Sequence, residues 1–210
     1  MKSLLFDIGA NHGKYTEANR KKYDTCVLVE ANPFLIQELQ TKFQDDPKVH
    51  IVHKLVSNKE TESFYLSNAD TISTSDVDWI TKSRFTPNYV WYQPINDLPT
   101  ITLDKLIELY GTPDLLKIDV EGYEWNVVQS LTKKVPCLSF EWAEEKKKET
   151  LLCIEHLHTL GFTQFHIQME DEYQYEIKEE YGYNYKMVTE LFSHICDENR
   201  KERWGMIWAL

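Results

Sequence analysis

Phe6-Asp7-Ile8-Gly9-Ala10-Asn11-His12-Gly13-Lys14-Tyr15-Thr16 is the stretch around which the rest of the chain is read. A short apolar strand, Leu4-Leu5-Phe6, runs into it, and a helical pattern leaves it. A strand that ends in an acid and a glycine turn, then becomes a helix, opens a nucleotide-binding α/β unit. Gly9 predicts a sharp turn that brings bare backbone to a ligand, and Gly13 a helix that starts close to the sheet. Amides at a helix start suit a carboxylate. Asp7, at the strand tip, suits a cationic amine.

About twenty residues on, a second strand over 25–29 ends in Glu30, where a Rossmann-type acid grips two ribose hydroxyls. That spacing does not choose between a nicotinamide dinucleotide and S-adenosylmethionine. The loop helps. A pyrophosphate needs the middle glycine of G-x-G-x-x-G, and Gly9-Ala10-Asn11-His12-Gly13 lacks it. Asn11 would crowd two phosphates but can hydrogen-bond a zwitterion. The methionine end of S-adenosylmethionine carries both the ammonium and the carboxylate that Asp7 and the helix start ask for. The bland alternative is a tight strand-to-helix turn with no ligand.

At 210 residues the chain makes one α/β domain, 1–210, with a full core. Its formal net charge is −11, and Lys146-Lys147-Lys148 follows Glu144-Glu145 as a solvated helix face rather than a basic patch. Tight binding to nucleic acid or to an anionic membrane is therefore not expected. Cys26, Cys137, Cys153 and Cys196 lack a C-x-x-C spacing and read as buried thiols in a reducing compartment. Met1-Lys2-Ser3-Leu4-Leu5-Phe6 imitates a signal peptide faintly, until Asp7 cuts the apolar run. No stretch is long enough to span a membrane. A cytoplasmic globular domain is expected.

Strand and helix patterns alternate, which argues for a mostly parallel sheet covered on both faces. Pro33 opens a helix with an apolar stripe of Phe34, Leu35, Leu39 and Phe43, and a third strand is expected over 49–56. Residues 67–100 read as an irregular insertion carrying Trp79, Tyr89, Trp91 and Tyr92. Such a segment suits a lid or a substrate wall, since rings among polar groups match a pyranose; the same rings can equally cap a core. A buried strand over 114–120 delivers Asp119 to the carboxyl edge, and a helix follows to about residue 131. A strand over 136–142 places Glu141 at its end, and further strands are expected at 163–168, 173–177 and 204–210.

With Asp7-Ile8-Gly9-Ala10-Asn11-x-Gly13-x-Tyr15-Thr16 joined by Leu116-Lys117-Ile118-Asp119-Val120-Glu121-Gly122-x-Glu124, the sequence resembles the FkbM family of S-adenosylmethionine-dependent methyltransferases. Thr102-Leu103-Asp104-x-Leu106 before the second motif, Phe140-Glu141 after it and Ser57-Asn58-Lys59-Glu60-x-Glu62 between them add to the likeness, which runs to about Phe162. The resemblance implies a class I methyltransferase Rossmann-like fold, a seven-stranded sheet with an antiparallel last strand. It implies methylation of a hydroxyl on a sugar, a glycan or another natural product, with S-adenosylhomocysteine as product. Carried onto this chain, Asp7, Gly9, Ala10, Asn11, Gly13 and Thr16 would cradle the methionine end, Glu30 would hold the ribose, and Ser57 or Asn58 would lie near the adenine. Family members commonly carry a leading helix that closes the pocket; this sequence opens almost at its first strand, so the insertion becomes a candidate lid.

Methyl transfer to a hydroxyl needs alignment and a proton acceptor. Asp119 and Glu141 are the carboxylate candidates, though Asp119 could instead bind the cofactor amine. His12, Glu121, Tyr123 and Trp142 are candidates for the acceptor side; Glu121 and Glu124 also suit a helix start on electrostatic grounds. His50 and His53 point to opposite faces of a strand, and His156 and His158 do not share a helix face; there are acids enough for a magnesium ion, but no spacing demands one, so a metal is not required. A nicotinamide-dependent oxidoreductase and a non-catalytic cofactor-binding module are the competing readings.

Overall fold

The computed structural model describes residues 3–178, 182–197 and 200–210, so Met1 and Lys2 of the signal-like stretch lie outside the described residues. In chain order the elements are β1 (Leu4–Ile8), α1 (Lys14–Asn19), β2 (Thr25–Glu30), α2 (Pro33–Lys42), β3 (Val49–His53), β4 (Leu55–Val56), β5 (Thr61–Phe64), α3 (Val77–Lys82) and β6 (Ile95–Ile101). They continue with α4 (Leu103–Tyr110), β7 (Leu115–Ile118), α5 (Glu124–Val128), β8 (Leu138–Ala143), α6 (Lys147–Thr159), β9 (Phe165–Met169), α7 (Tyr185–Ile195) and β10 (Trp204–Ala209). Among the described residues, no helix is long and apolar enough to cross a membrane.

Seven strands form one sheet in the order β3-β2-β1-β7-β8-β10-β9. Neighbours pair in parallel except β10, which runs antiparallel to both β8 and β9. The near-continuous apolar text of β1 and β7 follows from burial on both faces. Leu4, Phe6 and Ile8 pack with residues of α4, α5, α6 and α7, whereas Leu5 packs with Tyr15 of α1 and Leu39 of α2. Strand alternation thus divides the core between two helical layers.

Four local expectations change. Phe34 is 75% exposed, so the buried stripe of α2 is Leu35 and Leu39. The third strand breaks at Lys54, and Leu55–Val56 crosses to a three-stranded sheet of order β4-β6-β5. The end of the insertion is not irregular: Ile95–Ile101 is the middle strand of that sheet, with Pro99 just outside the stretch that β4 pairs and therefore at a local edge. Residues 173–177 form no strand. Their alternation instead lays Tyr173 edge-on to Tyr15 at 6.0 Å and stacks Tyr175 on Trp208 at 5.5 Å, covering the sheet face beside α1.

The insertion is bolted to the body. Arg84 donates from Nε and Nη2 to Glu145 at 2.8 and 2.6 Å, and Lys146 reaches Asp76 at 2.7 Å. Trp79 is buried against Gly122, where an added Cβ would lie 3.0 Å from the indole.

Candidate active site

A cavity of about 290 Å³ opens at the carboxyl ends of β1, β2, β7 and β8. Its floor is the loop after β1. Gly9, at φ +75°, is pressed against the neighbouring strand: an added Cβ would sit 1.8 Å from the Asp119 carbonyl oxygen. What glycine permits here is therefore closure onto β7 as well as approach to a ligand.

Asn11 occupies the left-handed region at φ 48°, and its N–H donates to Glu30 at 2.7 Å. The N–H of Asn32 donates to the other Glu30 oxygen at 2.7 Å. Two backbone donors fix the rotamer, while each oxygen keeps a lone pair for a ligand hydroxyl. Burial pushes the Glu30 carboxyl above its ordinary range, against the pull of those donors. His12 also lines the cavity, but both ring nitrogens are engaged: Nδ1 lies 2.7 Å from Glu38 and Nε2 2.9 Å from Asp70. It clasps α2 to the insertion.

Several predicted residues stand elsewhere. Asp7 is fully buried and outside the cavity wall, because its register partner Lys117 covers it; Thr16 donates to Asp7 at 2.7 Å and so acts behind the wall too. Gly13 likewise stays behind the wall: an added Cβ would meet Phe43 at 2.8 Å and Leu39 at 2.9 Å, so it admits α2 rather than the sheet. Ser57 and Asn58 miss the cavity because the crossing to β6 carries them away. The Ser57 hydroxyl donates to Glu62 and the Asn58 amide to Gln129. Leu55, Val56 and Phe64 line the wall in their place. Trp142 is 1% exposed and packs on Phe192 at 5.2 Å, since strand alternation sends it to the face opposite Glu141. None of Trp79, Tyr89, Trp91 and Tyr92 lines the cavity; the insertion contributes Asp70, Thr71, Ser73 and Ser75.

The acids converge as expected, and more closely than spacing along the chain reveals. Asp119, Glu121 and Glu141 each offer a carboxylate oxygen within 4.8 Å of the others, a separation at which three acids can hold a common cation. Glu121 sits at φ 56°, held by the Thr74 hydroxyl donating to its carbonyl at 2.8 Å. Glu124 braces the turn by accepting from the N–H groups of Val120 and Gly122 at 3.0 and 3.3 Å. Burial, then the charge of Asp119, raises the carboxyls of Glu121 and Glu141 well above the ordinary range. Glu124 is pushed up to about 7, chiefly by burial. Tyr123 lines the cavity with its ring, and its hydroxyl donates to Glu62.

Lys117, Asp171, Tyr173 and Trp204 complete the wall and were not singled out from the sequence. Lys117 had a signal: a lysine inside Leu115-Leu116-Lys117-Ile118 has to find anions. Burial alone would lower its ammonium, but Asp119 and Asp7 outweigh it and hold the group above its ordinary value. Asp171 carries no local signature, and burial pushes it up to about 6.

No curated protein matches the chain. Among solved structures it is similar to precorrin-6y C5,15-methyltransferase of Geobacter metallireducens, at 10% identity over 100% of this chain and 79% of that one, TM-score 0.47. It is similar to precorrin 8W decarboxylase of Methanobacterium thermoautotrophicum, at 11% identity over 100% and 82% of the two chains, TM-score 0.49. Fibrillarin of Aeropyrum pernix with natively bound S-adenosyl-L-methionine is a third, at 14% identity over 100% and 66%, TM-score 0.47. Residues 7–185 match the family model described as the methyltransferase FkbM domain, well past Phe162, where the resemblance in the sequence stops.

Proposed function

Since the chain belongs to the FkbM family of methyltransferase domains, we propose that it uses S-adenosylmethionine to methylate a hydroxyl of a sugar or glycan. The observation that carries this reading is the gathering of Asp119, Glu121 and Glu141 in a cavity that also holds Glu30. Six carboxylates (Glu30, Asp70, Asp119, Glu121, Glu141 and Asp171) line that cavity against the lysines 14, 54 and 117. Such a lining suits a ligand with a sulfonium and an ammonium, and repels the two phosphates of a nicotinamide dinucleotide. Leu55, Val56 and Phe64 form an apolar wall near Glu30 that fits a flat base.

The cofactor supplies an activated methyl group together with its own leaving group. The chain then has to orient the acceptor and take its proton. Glu141 and Glu121, raised above the ordinary carboxylate range, accept a hydroxyl proton more readily than a solvated acid would. Trp204, at the rim beside β8, supplies a ring against which a pyranose can lie. The acid lining favours a neutral acceptor over nucleic acid or an anionic lipid surface.

The test is transfer of a labelled methyl group to a panel of sugars and glycans, with and without magnesium and with a chelator. Transfer that Glu141→Gln and Asp119→Asn abolish supports the reading. Stabilisation by NAD and not by S-adenosylhomocysteine would instead favour the oxidoreductase.

A further inference from the structure

Residues far apart in sequence meet at one end of the cavity: Lys117 on β7, and Asp171 and Tyr173 on the segment after β9. Lys117 is 4% exposed, with Nζ 3.1 Å from Asp119 Oδ2 and 3.5 Å from Asp7 Oδ1. An ammonium has three N–H donors; one is hydrogen-bonded to Asp119 and a second faces Asp7 in an ion pair, so one remains for a ligand in the cavity. Facing the same space, the Asp171 carboxylate has neither a hydrogen bond nor an ion pair among the described residues. Its position is fixed from behind. The Tyr173 carbonyl accepts from Asn19 at 2.6 Å, the Gln174 side chain donates to the Ala18 carbonyl at 3.3 Å, and the Glu170 N–H donates to the Trp204 carbonyl at 3.0 Å.

A buried cation with a spare donor beside an unpaired carboxylate is the complement of an α-amino acid, whose carboxylate and ammonium are joined through one carbon. We propose that Lys117 and Asp171 bind the amino-acid end of the cofactor: Lys117 takes its carboxylate and Asp171 its ammonium, with Tyr15 and Tyr173 as side walls. This rests on S-adenosylmethionine being the cofactor. Asp7, sealed behind Lys117, keeps that cation in place instead of touching the ligand. The segment over 170–175 is then part of the binding site and not a connection that merely passes over it.

The experiment compares two ligands by calorimetry on the full chain: S-adenosylhomocysteine, and 5′-methylthioadenosine, which lacks the amino-acid end. Asp171→Asn, on a half-exposed segment, should weaken S-adenosylhomocysteine about ten- to a hundredfold, the range for a charge-assisted hydrogen bond, and leave 5′-methylthioadenosine within about twofold. Lys117→Met should show the same selectivity; because it leaves Asp7 and Asp119 without their cation, it counts only if the variant still binds 5′-methylthioadenosine. Equal losses for both ligands in Asp171→Asn, or no loss for either, overturn the assignment while the cofactor reading stands. An unsubstituted chain that binds neither ligand overturns both.

Discussion

Replacing Glu141 with glutamine should make the protein more stable and stop methyl transfer. Glu141 shares a space of 4.8 Å with Asp119 and Glu121, and burial raises its carboxyl well above the ordinary range. In surroundings of effective dielectric about 20, two unit charges 4.8 Å apart repel by about 3 kcal/mol. Glutamine keeps the shape and removes the charge, and with it the repulsion from both neighbouring acids; the attraction of Lys117 for the same charge is lost as well, which leaves a net relief of about 2–4 kcal/mol where all three acids are ionised. For a chain of this size that is about 5–10 °C in Tm. The pH dependence carries the sharper test. Because the folded pKa lies above the unfolded one, the favourable protonated state persists below the ordinary glutamate range, and its contribution is lost as pH rises through the folded value. The advantage of Glu141→Gln over the unsubstituted chain should therefore be small near pH 4, widen through neutrality and level off in alkali. Differential scanning fluorimetry from pH 4 to pH 9 at constant ionic strength reads it. A variant less stable at pH 8 than the unsubstituted chain, or a gap that ignores pH, refutes the crowding argument.

Other outcomes follow from the same geometry. Gly9→Ala should destabilise by well over the ~1 kcal/mol typical of point substitutions, read as a lower urea midpoint, since the new Cβ lands 1.8 Å from the Asp119 carbonyl at φ +75°. Trp142→Ala should cost about 3–5 kcal/mol, and its activity loss should track the unfolded fraction with KM unchanged, as expected of a core residue rather than a substrate wall. His12→Ala should release the insertion from α2, speeding amide exchange over residues 70–75, with exchange in β1 unaffected.

The sheet was largely legible because its strands are short apolar runs that end in acids: Glu30, Asp119 and Glu141 all fall at the cavity, where the pattern puts them. What failed was one step removed from periodicity. Asp7 satisfies the motif, yet a register partner one strand away decides whether it is seen by a ligand, and register across parallel strands is not written in either strand alone. Ser57 and Asn58 were misplaced because Lys54 breaks a run that reads as one strand, and the second half has its partner in Thr100 and Ile101. Tyr173 and Tyr175 alternate as a strand would; whether such a row joins an edge or lies across a face depends on Tyr15 and Trp208, contributed by opposite ends of the sequence. Asp171 lies beside them with no pattern of its own.

The place of β10 has a kinetic consequence. It lies between β8 and β9, so a segment begun at Trp204 must find one begun at Leu138 before either neighbour has its full set of backbone partners. Closing so long a loop is slow compared with pairing β1 and β2. Until it closes, β8 presents a bare apolar edge, the kind of template on which chains associate. Gly205 tightens the requirement, since an added Cβ would lie 2.0 Å from the Gln168 carbonyl and block the fit. During refolding, the period of greatest exposure to aggregation is the one before this strand slots home, and dilution should rescue yield most in that interval.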